Sequence, residues 1–262
     1  MQEYGISVRL TFSNSLLREE HLSDKKCNDL CKMLDCSHSA QSGTSNILRS
    51  TPKFKKSFTE SAAESFSNAH HIQNGLIVHS DLLLNYLIEN YPDLYLVSST
   101  TKVLTDFQDF LNEVKREEFR YVVPDFRLNK MFDKLDLMSQ HQKDKVEFLC
   151  NECCWFGCKD RKACYESVSR KNLGFPTPEF HCASPDGNEG YRFSKAMENP
   201  GFISVDAIQN IYMPMGFSNF KIEGRGLGSA LILEFLLYYM TKPEYQLRVR
   251  EEIYLDNMLD LF

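Results

Sequence analysis

The stretch K-V-E-F-L-C-N-E-C-C-W-F-G-C-K-D-R-K-A-C-Y, from Lys145 to Tyr165, decides how this chain reads. Its first five residues, Lys145 to Leu149, have the length and apolar content of a covered strand. That strand runs directly into a cysteine group: Cys150, Cys153, Cys154, Cys158, Cys164 and, further on, Cys182. A strand that ends in a polar, metal-capable loop is the building unit of a parallel α/β fold, where functional groups gather at the C-terminal ends of strands.

The same unit recurs on both sides. Strands are expected at Gly5–Phe12, Gly75–His79, Leu94–Ser98, Phe119–Val123, Gly201–Val205 and Phe217–Ile222. Between them lie helical patterns. Ser80 caps a helix that Pro92 stops, and Thr105 caps one that carries Phe107, Phe110, Leu111 and Val114 on one face. A helical stretch spans Met131 to Met138, an apolar helix runs from Gly226 to Met240, and a last one opens at Pro243. Alternating strands and helices predict an α/β fold, and a TIM-like (β/α) barrel fits better than a dinucleotide fold because no G-x-G-x-x-G follows the first strand. The strands number about seven against the eight of a full barrel. A missed strand, a truncated chain and an incomplete barrel stay open as explanations.

The 262 residues and 30.4 kDa suffice for a single barrel-like domain over 1–262. Ser37 to Gln73 is rich in Ser, Thr, Asn and Lys without apolar periodicity, and is expected to be a long mobile loop or insertion. Charged residues at 25% and hydrophobic ones at 42% argue against a disordered chain or a coiled coil. A net charge of −6 disfavours nucleic acid as a general partner without excluding a local basic groove. The most apolar run, Leu227 to Met240, contains Glu234 and falls short of the roughly 20 residues of a membrane span. The N-terminus shows no secretory pattern, so a cytoplasmic location is expected.

Nine cysteines in a reducing compartment point to metal rather than disulfides. Zinc calls for four ligands in paired knuckles, such as Cys150/Cys153 and Cys154/Cys158. An iron–sulfur cluster uses thiolates that can be scattered along the chain, and the single dense knuckle with Cys182 and Cys27 arriving from elsewhere favours it. Cys31 and Cys36 read as buried apolar fillers. Glu223 and Arg225 follow a strand and could hold an anionic substrate, with a structural ion pair as the other reading. Asp125, also at a strand end, is a candidate acid, base or substrate anchor. His79 and His181 are weaker candidates as ligand or base. A peptidase has little support: no H-E-x-x-H or G-x-S-x-G occurs, and His181–Cys182 is the one adjacent Cys–His pair.

Three stretches together resemble one family. They are F-K-I-E-G-R (Phe220 to Arg225), the Cys-x3-Cys of Cys154 and Cys158 followed by an arginine directly after a strand, and the N-terminal S-V-R-L-T-F-S-N. The chain resembles the collagenase-like peptidase family U-thirty-two, in particular its short bacterial branch with a cysteine-rich centre. The resemblance implies a TIM-like barrel and an oxygen-labile 4Fe–4S cluster. It implies oxygen-independent hydroxylation of a small molecule or an RNA base, with a small-molecule substrate or redox partner. By position it carries the ligand set over to Cys154, Cys158, Cys182 and Cys27, and in the hydroxylase reading Glu223 and Arg225 shape the substrate pocket. The sequence departs from the family in having Cys164–Tyr165 where a histidine–tyrosine pair is expected, in the extra Cys150 and Cys153, and in the Ser37–Gln73 segment. A non-catalytic protein with a structural zinc knuckle is the alternative.

Overall fold

The computed structural model describes residues 6–35, 72–185, 193–224 and 228–259. Arg225, and all of the expected Ser37–Gln73 insertion except its last two residues, lie outside them. The elements run β1 (Arg9–Phe12), α1 (Glu19–Leu22), α2 (Lys25–Asp35), β2 (Gly75–Val78), α3 (Asp81–Asn90), β3 (Tyr95–Ser98), α4 (Phe107–Val114), β4 (Phe119–Val122), α5 (Phe132–Leu135), α6 (Gln140–Lys145), β5 (Glu147–Leu149), α7 (Arg161–Asn172), α8 (Phe193–Glu198), α9 (Val205–Ala207), β6 (Asn219–Lys221), α10 (Ser229–Met240) and α11 (Pro243–Leu259). The fold is mixed α/β. β1 to β4 form a parallel sheet in chain order, and β5 and β6 form a second, parallel pair. Among the described residues these six strands do not make an eight-stranded wall. No helix among them is long and apolar enough to cross a membrane.

The chain divides into two compact units, with the division inside β3. In the first, β1 pairs with β2 in parallel, Arg9 opposite Gly75 and Phe12 opposite Val78. β2 is buried along its whole length, as an uninterrupted G-L-I-V run requires. α3 turns Leu83, Leu84 and Leu87 into the core. α2 is tied to it through Asn28, whose side-chain oxygen accepts from both Tyr86 and Tyr91 hydroxyls at 2.7 Å.

The second unit contains β4 to β6. A single parallel bridge, Val122 to Val146, links the end of β4 to the residue before β5. Phe148 on β5 is the centre of its core, with the rings of Tyr212 and Phe217 each 5.0 Å away and that of Phe220 at 6.3 Å. Asn129, fully buried, ties three segments together. Its amide donates to the carbonyls of Leu149 and Gly201 at 2.9 and 2.8 Å, and its own carbonyl accepts from Tyr212 at 2.7 Å. Gly201 has to be glycine for this packing, because a Cβ there would lie 2.7 Å from the Phe126 carbonyl oxygen.

Three expectations are corrected. Gly201–Val205 is not a strand: Ser204 caps α9 by accepting from the Ala207 amide, so the chain turns helical at Val205. The cap of α4 is Asp106, which accepts from the amides of Gln108 and Asp109, and not Thr105. Lys145 closes α6 rather than opening β5, and its ammonium is bound by the Arg116 carbonyl at 2.7 Å.

Candidate metal centre

β5 passes into the cysteine loop without a break. The Cys150 amide donates to Lys221 at 2.9 Å and extends the β5–β6 ladder by one residue. Cys150 is 1% exposed, and burial pushes its thiol up to about 12. It is a packing residue. Asn151 then clamps the two strand ends together: its side-chain amide donates to the Glu223 carbonyl at 2.9 Å, and its oxygen accepts from the Glu223 amide at 2.7 Å. This clamp brings Glu223 to the loop. Glu152, Cys153 and Glu223 place one donor atom each within 4.8 Å of one another.

Glu152 organises the rest of the loop. One of its oxygens accepts from the Cys153 and Cys154 amides at 3.0 and 2.9 Å. The other accepts from Arg161 Nη2 at 2.5 Å. Arg161 opens α7, and Nη2 also donates to the Tyr165 hydroxyl one turn on, at 2.8 Å. Its guanidinium lies 4.7 Å over the Phe126 ring. Arg161 Nε stands 3.5 Å from Asp125, whose carboxylate is otherwise gripped by Arg127 through Nε at 2.6 Å and Nη2 at 3.0 Å. Arg127 Nη1 in turn donates to the Cys158 carbonyl at 2.7 Å, and Asn199 donates to the Cys154 carbonyl at 2.9 Å. Two arginines and two carboxylates therefore hold the backbone at both cysteines. Asp125, Glu152 and Arg161 are each less than 5% exposed, so the charges compensate one another out of water.

The thiols of this segment form a chain of neighbours. Burial pushes Cys154 up to about 12, opposed by the Arg161 charge and reinforced by Glu152 and Cys158. Cys164 is raised by burial and then by Cys182 and Cys158. Cys158 is buried, Cys154 and Cys164 are half-buried, and Cys153 and Cys182 are exposed. Cys158 is thus a neighbour of both Cys154 and Cys164, and Cys182 of Cys164, but among the described residues the group whose donor atoms converge within 4.8 Å is Glu152, Cys153 and Glu223, not these four thiols. Cys27 lies in the first unit, exposed on α2, with its amide bound by Asp24 at 2.7 Å.

Of the expected substrate residues, Asp125 is engaged by Arg127 and faces Arg161 at 3.5 Å, and it serves as an anchor. Glu223 is different. Burial, and after it the Glu152 carboxylate, push Glu223 up to about 8, and its Oε2 is buried without a hydrogen bond. His181 is an exposed ring 3.8 Å from Glu179. Sequence alone assigns no role to Arg161, Arg127, Asn151 or Asn199. The signals that bear on them are the i,i+4 spacing of Arg161 and Tyr165 and the D-x-R of Asp125 and Arg127.

Comparison with family models, with curated proteins and with solved structures finds no match.

Proposed function

We propose that this chain is an iron–sulfur protein, with a 4Fe–4S cluster held by the loop between β5 and α7, by α7 and by the segment after it. Cys154, Cys158 and Cys182 are three of its ligands and Cys164 is the fourth. The observation that carries the reading is the fixed Cys-x3-Cys: the peptide groups of Cys154 and Cys158 are bound by Glu152, Asn199 and Arg127. Their thiols are neighbours, and Cys158 also acts on Cys164, which in turn feels Cys182. The donor set suits the group, because soft thiolates select iron–sulfur clusters or zinc over hard cations. The chain-order parallel strands are compatible with a TIM-like barrel of the kind the U-thirty-two resemblance implies.

When bound, the cluster supplies one-electron chemistry, and the resemblance gives oxygen-independent hydroxylation of a small molecule as the reaction class. Asp125 and Arg127 position the loop. Glu223, with one carboxylate oxygen unclaimed, is the group left to meet a substrate. The test is iron and acid-labile sulfide content of protein purified without oxygen. About four of each per chain is the expected result. Loss of iron in Cys164→Ala but not in Cys27→Ala assigns the fourth ligand, and the reverse restores Cys27. One zinc and no sulfide replaces the reading with a structural zinc knuckle.

A further inference from the structure

Glu223 is a carboxylate left over when its neighbours have paired. Asp125 is gripped by Arg127 at 2.6 Å, and Glu152 by Arg161 Nη2 at 2.5 Å. Among the described residues Glu223 stands in no such pair, and its Oε2 is buried without a hydrogen bond. Arg161 acts on Glu223 too, but the two do not close on each other. Arg161 Nε, Arg161 Nη1 and Glu223 Oε2 are all buried and all without a hydrogen-bond partner. A buried polar atom left unmet calls for an explanation, and a bound ion is one.

The chain holds this carboxylate against two further donors. Asn151 accepts from the Glu223 amide at 2.7 Å and donates to its carbonyl at 2.9 Å, which fixes the end of β6 beside the cysteine loop. One donor atom each of Glu152, Cys153 and Glu223 then lies within 4.8 Å of the others. Bonds of about 2.0–2.3 Å to a tetrahedral ion set ligand atoms roughly 3.5 Å apart, so small side-chain rotations close the set. Glu152 keeps room for the ion. A carboxylate offers about four lone-pair sites, and here two backbone amides and Arg161 occupy all but one. Two carboxylates alone would suit a hard cation, and the thiolate turns the set toward zinc. Charge points the same way. Asp125 and Glu152 are matched by Arg127 and Arg161, which leaves the Glu223 carboxylate and a Cys153 thiolate to offset one divalent ion.

We propose that Glu152, Cys153 and Glu223 form a mononuclear site for a divalent cation of the zinc class. The site shares no ligand with the proposed cluster and does not depend on it. Cys153 gives its proton to solvent on binding, and the ion takes the unclaimed oxygen of Glu223. Three protein ligands leave a fourth position for water or a substrate oxygen, the arrangement of a catalytic rather than a structural zinc site. A substrate then meets the ion that Glu223 holds rather than the carboxylate itself.

The test titrates cobalt(II), a coloured stand-in for zinc, into the full chain purified without oxygen. The thiolate-to-cobalt charge-transfer band reports binding, and X-ray absorption counts the sulfurs on the ion. One sulfur per cobalt is expected, with the band lost in Cys153→Ser. Glu223→Gln keeps the shape and should weaken binding at least about 100-fold, since even a group behind a ligand is worth 10–100-fold. Both variants should fold, because Cys153 is exposed and Glu223 is held through its backbone. Cys27→Ala, on α2 in the first unit, should leave the band unchanged. Cobalt bound by several sulfurs and retained in Cys153→Ser puts the ion on the other cysteines and overturns the proposal. Absence of uptake leaves Glu223 Oε2 to water or a proton and overturns it as well. Iron and sulfide are measured on the same protein. One-sulfur cobalt in iron-free protein supports this site while overturning the cluster, and a full cluster without one-sulfur cobalt does the reverse.

Discussion

Asp125 faces two guanidinium groups at 1% exposure, so its charge cannot be replaced by water. Asp125→Asn keeps the shape and removes the charge. Taking one partner from a buried pair costs about 3–5 kcal/mol, and the unfolding midpoint in urea should fall accordingly. Glu113 makes a separate prediction. Burial works to raise its carboxyl, but the Lys102 ammonium at 2.5 Å and the Ser98 hydroxyl at 2.6 Å outweigh it and hold it below its ordinary value of 4.5. A carboxylate held low in the folded state stabilises above its unfolded value and loses that contribution as pH falls through the folded one. Stability should therefore decline below pH 4.5 in the wild type. In Glu113→Gln this part of the decline should be absent, and about 1.5–3 kcal/mol should be missing at neutral pH. Urea unfolding across pH checks both.

The strands were legible because each buried element is a short apolar run of the right length, as in G-L-I-V of β2. The same signal misled at Gly201–Val205. Phe202 and Ile203 are buried, at 7% and 0% exposure, and an apolar run does not distinguish a strand from a segment pinned at a few points. Here the pins are single bonds, Ile203 to the Cys150 carbonyl and Asn129 to the Gly201 carbonyl, and they come from residues about 50 to 70 positions away. Gly201→Ala should disrupt this segment, since its Cβ would lie 2.7 Å from the Phe126 carbonyl oxygen, backbone that cannot swing away, and 2.8 Å from the buried Phe126 ring. The expected loss is about 1–3 kcal/mol by thermal unfolding. The cysteine loop stood out in the sequence by its composition alone. Its division of labour did not: Cys150 is spent on the ladder, Cys153 turns toward Glu152 and Glu223, and the charge network comes from Asp125, Arg127 and Asn199, which only the fold brings together.

At the scale of the whole molecule, the proposed metal would be a ligand of the folded state, and loading should raise the melting temperature. At a thousandfold excess over the dissociation constant the gain is about 4 kcal/mol, and a chelator should reverse it. Thiol alkylation should show the same dependence, with Cys154 and Cys164 protected in loaded protein. The way the loop is tethered sets a limit on how much loading changes. The Cys154 and Cys158 backbones are fastened by protein groups alone, through Glu152, Asn199 and Arg127. At these two ligands of the proposed centre little chain would be left to order on metal uptake, so that part of the ordering entropy is already spent during folding. Calorimetry of metal uptake should accordingly show a small heat-capacity change, unlike the large negative one of a peptide that folds around its ion. The metal-free protein should be a receptive apoprotein that retains its far-ultraviolet circular dichroism.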